Sequence, residues 1–303
     1  MQADLANGIS LEYERHGDAH GEPVLLVMGL GAQLILWPPR FIERLTEAGY
    51  HVVAYDNRDV GMSSRVDAPA PTVTDLARSL VAPRSASVPY TLRDMADDAA
   101  GLLDHLGIER AHVVGVSMGG MIAQELAIGH PHRVATLTSI MSNTGARRTG
   151  KLHPALLPAL LRSRRSGDTS IEAAIEVGRL IAGPHFDEAA VRDLEVLRMR
   201  RQGDPVVAQE GLARQTLAVT ATRDRTADLR RVTAPTLVVH GILDRLVRPS
   251  GGMATARAVP GSRLVMYPDM AHDVPDVRVD EMTTEVIENC RRAPVSVPAG
   301  ALA

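Results

Sequence analysis

The run Gly115-Val116-Ser117-Met118-Gly119 follows an apolar stretch, Ala111–Val114, and precedes a helical one, Met118–Ile128. A serine on a sharp strand-to-helix turn is held in strained backbone geometry with its Oγ exposed. The helix that follows aims its first N–H groups and the positive end of its dipole at the same point. Negative charge developing there, as in attack on a carbonyl, would be stabilised. Gly115 and Gly119 suit such a turn, where neighbouring backbone leaves no room for a Cβ. A plain glycine turn with a surface serine is the bland alternative. The strand before and the helix after argue against it.

A serine hydroxyl is a poor nucleophile until a base takes its proton, and that base needs an orienting carboxylate. Two later loops can supply the pair. Asp244 lies in Gly241-Ile242-Leu243-Asp244 after the strand-like Thr236–His240, and His272 lies in Pro268-Asp269-Met270-Ala271-His272 after Arg263–Tyr267. Open α/β sheets place their sites beyond the carboxyl ends of strands, so Ser117, Asp244 and His272 share one sheet edge. The other histidines read differently. His130, His132 and His153 suit the surface, and His105 and His240 suit structural roles. Asp269 and Asp273 flank His272 too closely in sequence to reach its ring from a separate loop. For the oxyanion, the N–H of Met118 is one candidate donor. The N–H of Leu30, in Met28-Gly29-Leu30-Gly31, is the second; the glycines let the backbone turn inward.

These residues need a sheet with helices on both faces. Strand signals fall at Ile9–Arg15, Val24–Met28, His51–Tyr55, Ala111–Val114 and Val134–Met141. Helical spacing falls at Trp37–Ala48, Leu92–Leu106 and Met118–Ile128. Alternating units of this length predict a mostly parallel sheet. Thr91 and Asp94 predict a capped start for the helix over Leu92–Leu106. From Ser142 to Ala227 strand signal is nearly absent; His153–Ser163, Ile171–Ile181, Glu188–Arg201 and Pro205–Leu217 read as helices. Strand signal returns at Thr236–His240 and Arg263–Tyr267, and Asp280–Arg292 reads as a final helix. The division predicted is an α/β core over 1–142 and 228–292, a helical cap over 143–227, and a disordered tail over 293–303. Arg65–Pro89, rich in proline, reads as a long connector or a lid. Arg147, Arg148, Arg162, Arg164 and Arg165 read as a solvated face, and the apolar residues of the insertion predict an apolar pocket.

Composition removes whole classes. The 303 residues carry 33 Lys+Arg against 36 Asp+Glu, a net charge of -3, so there is no electrostatic footprint for nucleic acid or an anionic membrane. Aromatic residues are 3% of the chain, too few for base-stacking platforms. Cys290 is the single cysteine, which excludes an internal disulfide or a cysteine-rich zinc site. No signal-peptide pattern opens the chain and no apolar run is long enough to span a bilayer, so a cytoplasmic location is expected.

With these residues in hand, the sequence resembles the α/β-hydrolase fold superfamily, in its capped serine-hydrolase branch. The motifs that carry this are Val27-Met28-Gly29-Leu30-Gly31, Tyr55-Asp56-Asn57-Arg58-Asp59-Val60-Gly61-Met62-Ser63, and Gly115-Val116-Ser117-Met118-Gly119-Gly120. The Trp37-Pro38 pair further resembles actinobacterial esterases of the aclacinomycin methylesterase type. The resemblance implies hydrolysis of carboxylic esters without a cofactor, on a small-molecule ester, with no metal, nucleic acid or membrane partner. The oligomeric state is left open. It also implies that Asp56 and Arg58 tie the loop after their strand into place. Lactonase, C–C hydrolase and perhydrolase activities share the triad, and a non-catalytic ligand receptor is the reading from another class. Met28-Gly29 stands where many capped hydrolases have His-Gly, which weakens the C–C hydrolase case. Epoxide hydrolases and haloalkane dehalogenases carry Asp where Ser117 stands, and no tyrosine lies in 143–227 to open an epoxide.

Overall fold

The computed structural model describes residues 1–82, 86–159, 162 and 170–295. The first half contains β1 (Gln2–Asp4), β2 (Ser10–His16), β3 (Glu22–Val27), α1 (Pro39–Glu47), β4 (Tyr50–Tyr55), α2 (Val73–Val81), α3 (Leu92–His105), β5 (Ala111–Val116), α4 (Met118–Gly129) and β6 (Val134–Ile140). Helices α5 (Ile171–Ile181), α6 (Glu188–Gln202), α7 (Pro205–Thr220) and α8 (Thr226–Leu229) follow. The chain then returns to the sheet through β7 (Thr236–Gly241), α9 (Ser250–Ala258), β8 (Arg263–Tyr267) and α10 (Asp276–Cys290).

The strands form one sheet in the order β1-β2-β4-β3-β5-β6-β7-β8. All pairings from β4 through β8 are parallel; β1 and β2 add an antiparallel edge. Strands β4 to β7 are buried at every position, as expected where helices cover both faces. The period of two sorts their side chains. Leu25, Val27, Val53 and Val113 pack with Met95, Leu102 and Leu103 of α3 and Ile122 and Leu126 of α4. Val24, Leu26, Val52 and Val114 pack on the other face with Phe41 and Leu45 of α1 and Met282, Val286 and Cys290 of α10. Trp37 belongs to this second layer, its ring 5.1 Å from that of Phe41. The sheet thereby presents the carboxyl ends of β3, β5, β7 and β8 at one edge.

Several elements differ from expectation. Arg65–Pro89 is not a bare connector: it holds α2, started by a reciprocal cap between Thr72 and Asp75. The last helix begins at Asp276, and α9 and β1 carry no strong periodic signal. The helix expected over His153–Ser163 begins as a single turn at Pro154–Leu156; positions 160, 161 and 163 lie outside the described residues, as do Arg164, Arg165 and 296–303 of the tail. Between β6 and β7 no described residue is in a strand. The ends of this stretch meet at Arg225, which is fully buried. Its Nη2 donates to the Asn143 carbonyl (2.9 Å), and its backbone N–H to that of Thr144 (2.8 Å). Burial pushes its guanidinium down to about 10, against the pull of Glu125. Among the described residues no helix is long and apolar enough to cross a membrane.

One buried group on β4 makes stability depend on pH. His51 is 1% exposed, and its Nε2 accepts from the Arg15 Nε–H at 3.0 Å. Burial, helped by the Arg15 charge, pushes its pKa from 6.5 down to about 4. Between those two values the unfolded chain binds a proton that the folded chain refuses, so stability falls as pH drops through the window. The loss from this residue is up to about 3 kcal/mol. His112, buried on β5 and likewise lowered, adds in the same direction. Urea unfolding midpoints at pH 7 and pH 4.5 should separate clearly for the native protein and less for His51→Asn. Equal separation in both would show that His51 is not the sensor.

Candidate active site

Ser117 occupies the turn between β5 and α4 with φ 54° and ψ -116°. A non-glycine residue in that region costs of order 1–3 kcal/mol, so the surroundings must enforce it. They do so by close packing. A Cβ on Gly115 would lie 2.2 Å from the Gly119 carbonyl oxygen, and one on Gly119 would lie 2.0 Å from that of Val27. The chain can make this turn only with both side chains absent. Ser117 stands at the N-cap position of α4, yet its hydroxyl makes no capping bond. The Oγ is turned instead to His272, whose Nε2 lies 2.9 Å away.

The other ring nitrogen of His272, Nδ1, lies 2.7 Å from Asp244 Oδ2. That contact sets the tautomer: Nδ1–H donates to the carboxylate, leaving Nε2 to accept the serine proton. Asp244 is wholly buried and its second oxygen, Oδ1, accepts the N–H groups of Leu246 (2.9 Å) and Val247 (2.8 Å). Burial by itself would raise its pKa. The neighbouring His272 charge and the hydrogen bonds from His240 and His272 outweigh it and hold the carboxyl at about 2. The two loops are stitched together, since the Leu243 N–H donates to the Met270 carbonyl at 3.0 Å. The insertion joins in through the His272 N–H, which donates to the Ile181 carbonyl at the end of α5 (3.0 Å). Ser117, His272 and Asp244 are thus brought together. Asp269 is turned away to Arg278 and His185, and Asp273 accepts the Ala271 N–H.

The loop after β3 passes beside Ser117. The position a Gly29 Cβ would take is 3.4 Å from the Ser117 Cβ. The Ala32 N–H closes a turn on the Gly29 carbonyl (3.2 Å), with Leu30 and Gly31 at its centre. Among the described residues neither the Leu30 N–H nor the Met118 N–H has a protein acceptor. Asp56 braces this loop, its Oδ1 accepting the Leu34 N–H (2.7 Å) and its Oδ2 the Met62 N–H (3.0 Å). Arg58 forks onto Asp98 of α3, with both N···O distances at 2.6 Å.

Four further residues were not read from the sequence as part of the site. His240, next to last in β7, has its Nε2 2.7 Å from the Val247 carbonyl and 3.4 Å from Asp244 Oδ2, the same oxygen that His272 Nδ1 contacts. Asp59 (φ 69°) accepts a two-pronged contact from Arg214 of α7, 2.9 Å on each oxygen. Gln215 sits beside Arg214 and reaches the Gly31 N–H. Only His240 and Asp59 carried a signal, by adjoining motifs already recognised. A cleft of about 640 Å³ also opens beside the Asp244 turn, by Leu180, Ile242, Leu243 and Arg248. Asp244 lines it, but neither Ser117 nor His272 does. No group of three His, Cys, Asp or Glu side chains among the described residues is placed to hold a metal ion.

A strand-capping serine at the edge of a mostly parallel sheet, with a histidine and a buried acid on the following strand ends, defines a class of hydrolase. The sequence profile of the alpha/beta hydrolase fold matches residues 22–278, and the chain belongs to that family. It is 28% identical to rhodomycin D methylesterase DnrP of Streptomyces peucetius, over 95% of this chain and 97% of that one. Among solved structures it is similar to the enol-lactonase from Burkholderia xenovorans LB400. That match has a TM-score of 0.73 and 25% identity, covering 96% of this chain and 100% of the other. It is similar also to a thermophilic esterase from Thermogutta terrifontis (TM-score 0.72, 25% identity, 96% and 98% covered).

Proposed function

We propose that this hydrolase cleaves carboxylic esters through an acyl-enzyme on Ser117. The observation that carries the reading is the unbroken chain Ser117 Oγ–His272 Nε2 (2.9 Å) and His272 Nδ1–Asp244 Oδ2 (2.7 Å). In this reading His272 removes the Ser117 proton as Oγ attacks the ester carbonyl. The carbonyl π electrons move to the oxygen, and the resulting oxyanion accepts hydrogen bonds from the Leu30 and Met118 N–H groups. His272, now an imidazolium held by Asp244, gives its proton to the leaving alkoxide and the alcohol departs. Water enters, His272 takes its proton, and the same steps release the acid and restore Ser117.

Residues 143–227 form a cap over the site in this proposal, its ends tied together where Arg225 bonds Asn143 and Thr144. The similarity to a methylesterase supports the ester class and a small alcohol as leaving group. The similarity to an enol-lactonase favours a second reading, in which the ester is cyclic; the chemistry at Ser117 is unchanged and the alcohol stays tethered to the acid. A fluorophosphonate probe followed by peptide mass spectrometry should place its adduct on Ser117. A panel of methyl, p-nitrophenyl and cyclic esters on purified protein then separates the two readings. Tight binding of a panel member with no turnover and no label on Ser117 would favour a receptor.

A further inference from the structure

Gln215 lies on the third turn of α7, far in sequence from any motif, and is fully buried. Both ends of its amide are used. The Oε1 accepts the Gly31 N–H at 2.8 Å, and the Nε2 donates to the Arg58 carbonyl at 2.8 Å. These partners belong to the loop after β3, which passes beside Ser117, and the loop after β4, whose Asn57 Nδ2 donates to the Met28 carbonyl of that first loop (3.0 Å). One side chain of the insertion therefore holds both core loops at once.

The Gly31 contact matters most. Gly31 sits at φ 66° in the turn closed by the Ala32 N–H on the Gly29 carbonyl, and Leu30 is the residue between them. The direction of the Leu30 N–H is therefore set by a turn whose central N–H, that of Gly31, is satisfied only by a residue of the insertion. Leu212, one turn earlier on α7, packs over the same point: its Cδ1 is 2.8 Å from where a Gly31 Cβ would lie. Remove the acceptor and a half-buried N–H loses its protein partner, and the turn is free to rearrange to find another. Rearrangement moves the donor that the oxyanion needs.

We propose that Gln215 is a positioning residue that aims the Leu30 N–H at the oxyanion, so that the oxyanion site is complete only while α7 is seated on the core. This rests on the reading of Leu30 as an oxyanion donor in ester hydrolysis. It makes the insertion part of the catalytic apparatus rather than only a wall of the pocket. The substrate contacts neither end of the Gln215 amide; the effect travels through the Gly31 peptide.

The test compares Gln215→Leu, which removes both hydrogen bonds at similar volume, with Gln215→Glu, which keeps an acceptor for Gly31. For Gln215→Leu, kcat on a p-nitrophenyl ester should fall about 10- to 100-fold while KM stays within about twofold, because donor placement acts on the transition state. The pH midpoints of kcat/KM should not move, since His272 and Asp244 are untouched. Amide exchange in a peptide spanning residues 28–34 should quicken, with β5 unchanged. Gln215→Glu should recover part of the loss, and more at low pH, where a protonated carboxyl can accept from the Gly31 N–H and donate to the Arg58 carbonyl. If Gln215→Leu does not fold, Gln215→Asn, whose amide stops one methylene short of Gly31, carries the same expectations. Unchanged loop exchange, or faster exchange with kcat within about twofold of native, overturns the positioning role. Native protein that shows no Ser117-dependent turnover, yet loosens its loop in the variant, overturns the ester-hydrolase reading instead.

Discussion

Ser117→Ala lowers kcat for a p-nitrophenyl ester by about 10⁴- to 10⁶-fold, the largest functional effect expected of any single substitution in this chain. The geometry makes the size of the loss follow from one atom. His272 Nε2 has the Ser117 hydroxyl as its partner at 2.9 Å, and without it the imidazole has no nucleophile to deprotonate. What survives is the rate that two N–H donors and a bound substrate supply to attack by water, about 10³- to 10⁴-fold over the uncatalysed reaction. KM should change little, because the missing oxygen contributes to the transition state rather than to ground-state binding. The fold should tolerate the change: the hydroxyl caps nothing, and alanine keeps the same strained backbone. Ser117→Gly is a useful companion. Glycine adopts φ 54° freely, so this variant should lose activity to the same degree while its thermal midpoint holds or rises. An alanine variant with near-native turnover, measured after removing host esterases, would dismiss Ser117 as the nucleophile.

The meeting of Ser117, His272 and Asp244 was legible because each follows a strand end and is announced by local spacing: the glycines around Ser117, Gly241 before Asp244, the turn before His272. Helix α3 was legible for a similar reason. Thr91 and Asp94 cap it and an apolar stripe follows. Thr72 and Asp75 use the same capping grammar, but α2 leaves Val73, Leu80 and Val81 exposed, so its stripe is not one that core burial would select. Helix α9 was hidden by Gly251 and Gly252 in its first turn. The second of these has a spatial cause, since a Cβ there would lie 2.5 Å from His240 Nδ1. The clasp between insertion and core was the least legible part. Gln215 and Gly31 are 184 residues apart, and nothing in the sequence of α7 marks which of its polar side chains turns inward. Arginine in the insertion reads as solvated by default, yet Arg214 is 2% exposed. Local rules find what local geometry dictates; a buried pair between distant segments is set by the packing of whole elements.

Arg214→Met should destabilise the protein by about 3–5 kcal/mol, the largest stability effect expected from one side chain. Arg214 Nε and Nη2 each lie 2.9 Å from an oxygen of Asp59, and Asp59 also accepts the Val66 N–H (2.9 Å) and the Tyr90 hydroxyl (2.8 Å). Burial alone would raise the Asp59 pKa. The Arg214 fork, the Val66 N–H and the Tyr90 hydroxyl together pull it below its ordinary value, so the pair is ionised in the fold. Methionine fills much of the volume but leaves a buried carboxylate facing apolar atoms. The carboxylate must then take up a proton or draw in water, and either is costly. Arg214→Lys should recover only part of the loss, because a single ammonium cannot satisfy both oxygens and also reach the Ala68 carbonyl, which Arg214 Nη1 meets at 3.0 Å. Asp59→Asn combined with Arg214→Met should be less damaging than the sum of the two single changes, since no unpaired charge remains. Denaturant midpoints for the four proteins decide the matter. Additive losses would mean that the pair is not coupled and that α7 is held by its apolar contacts alone. Coupling of several kcal/mol would identify Arg214 and Asp59 as the anchor that keeps Gln215 within reach of Gly31.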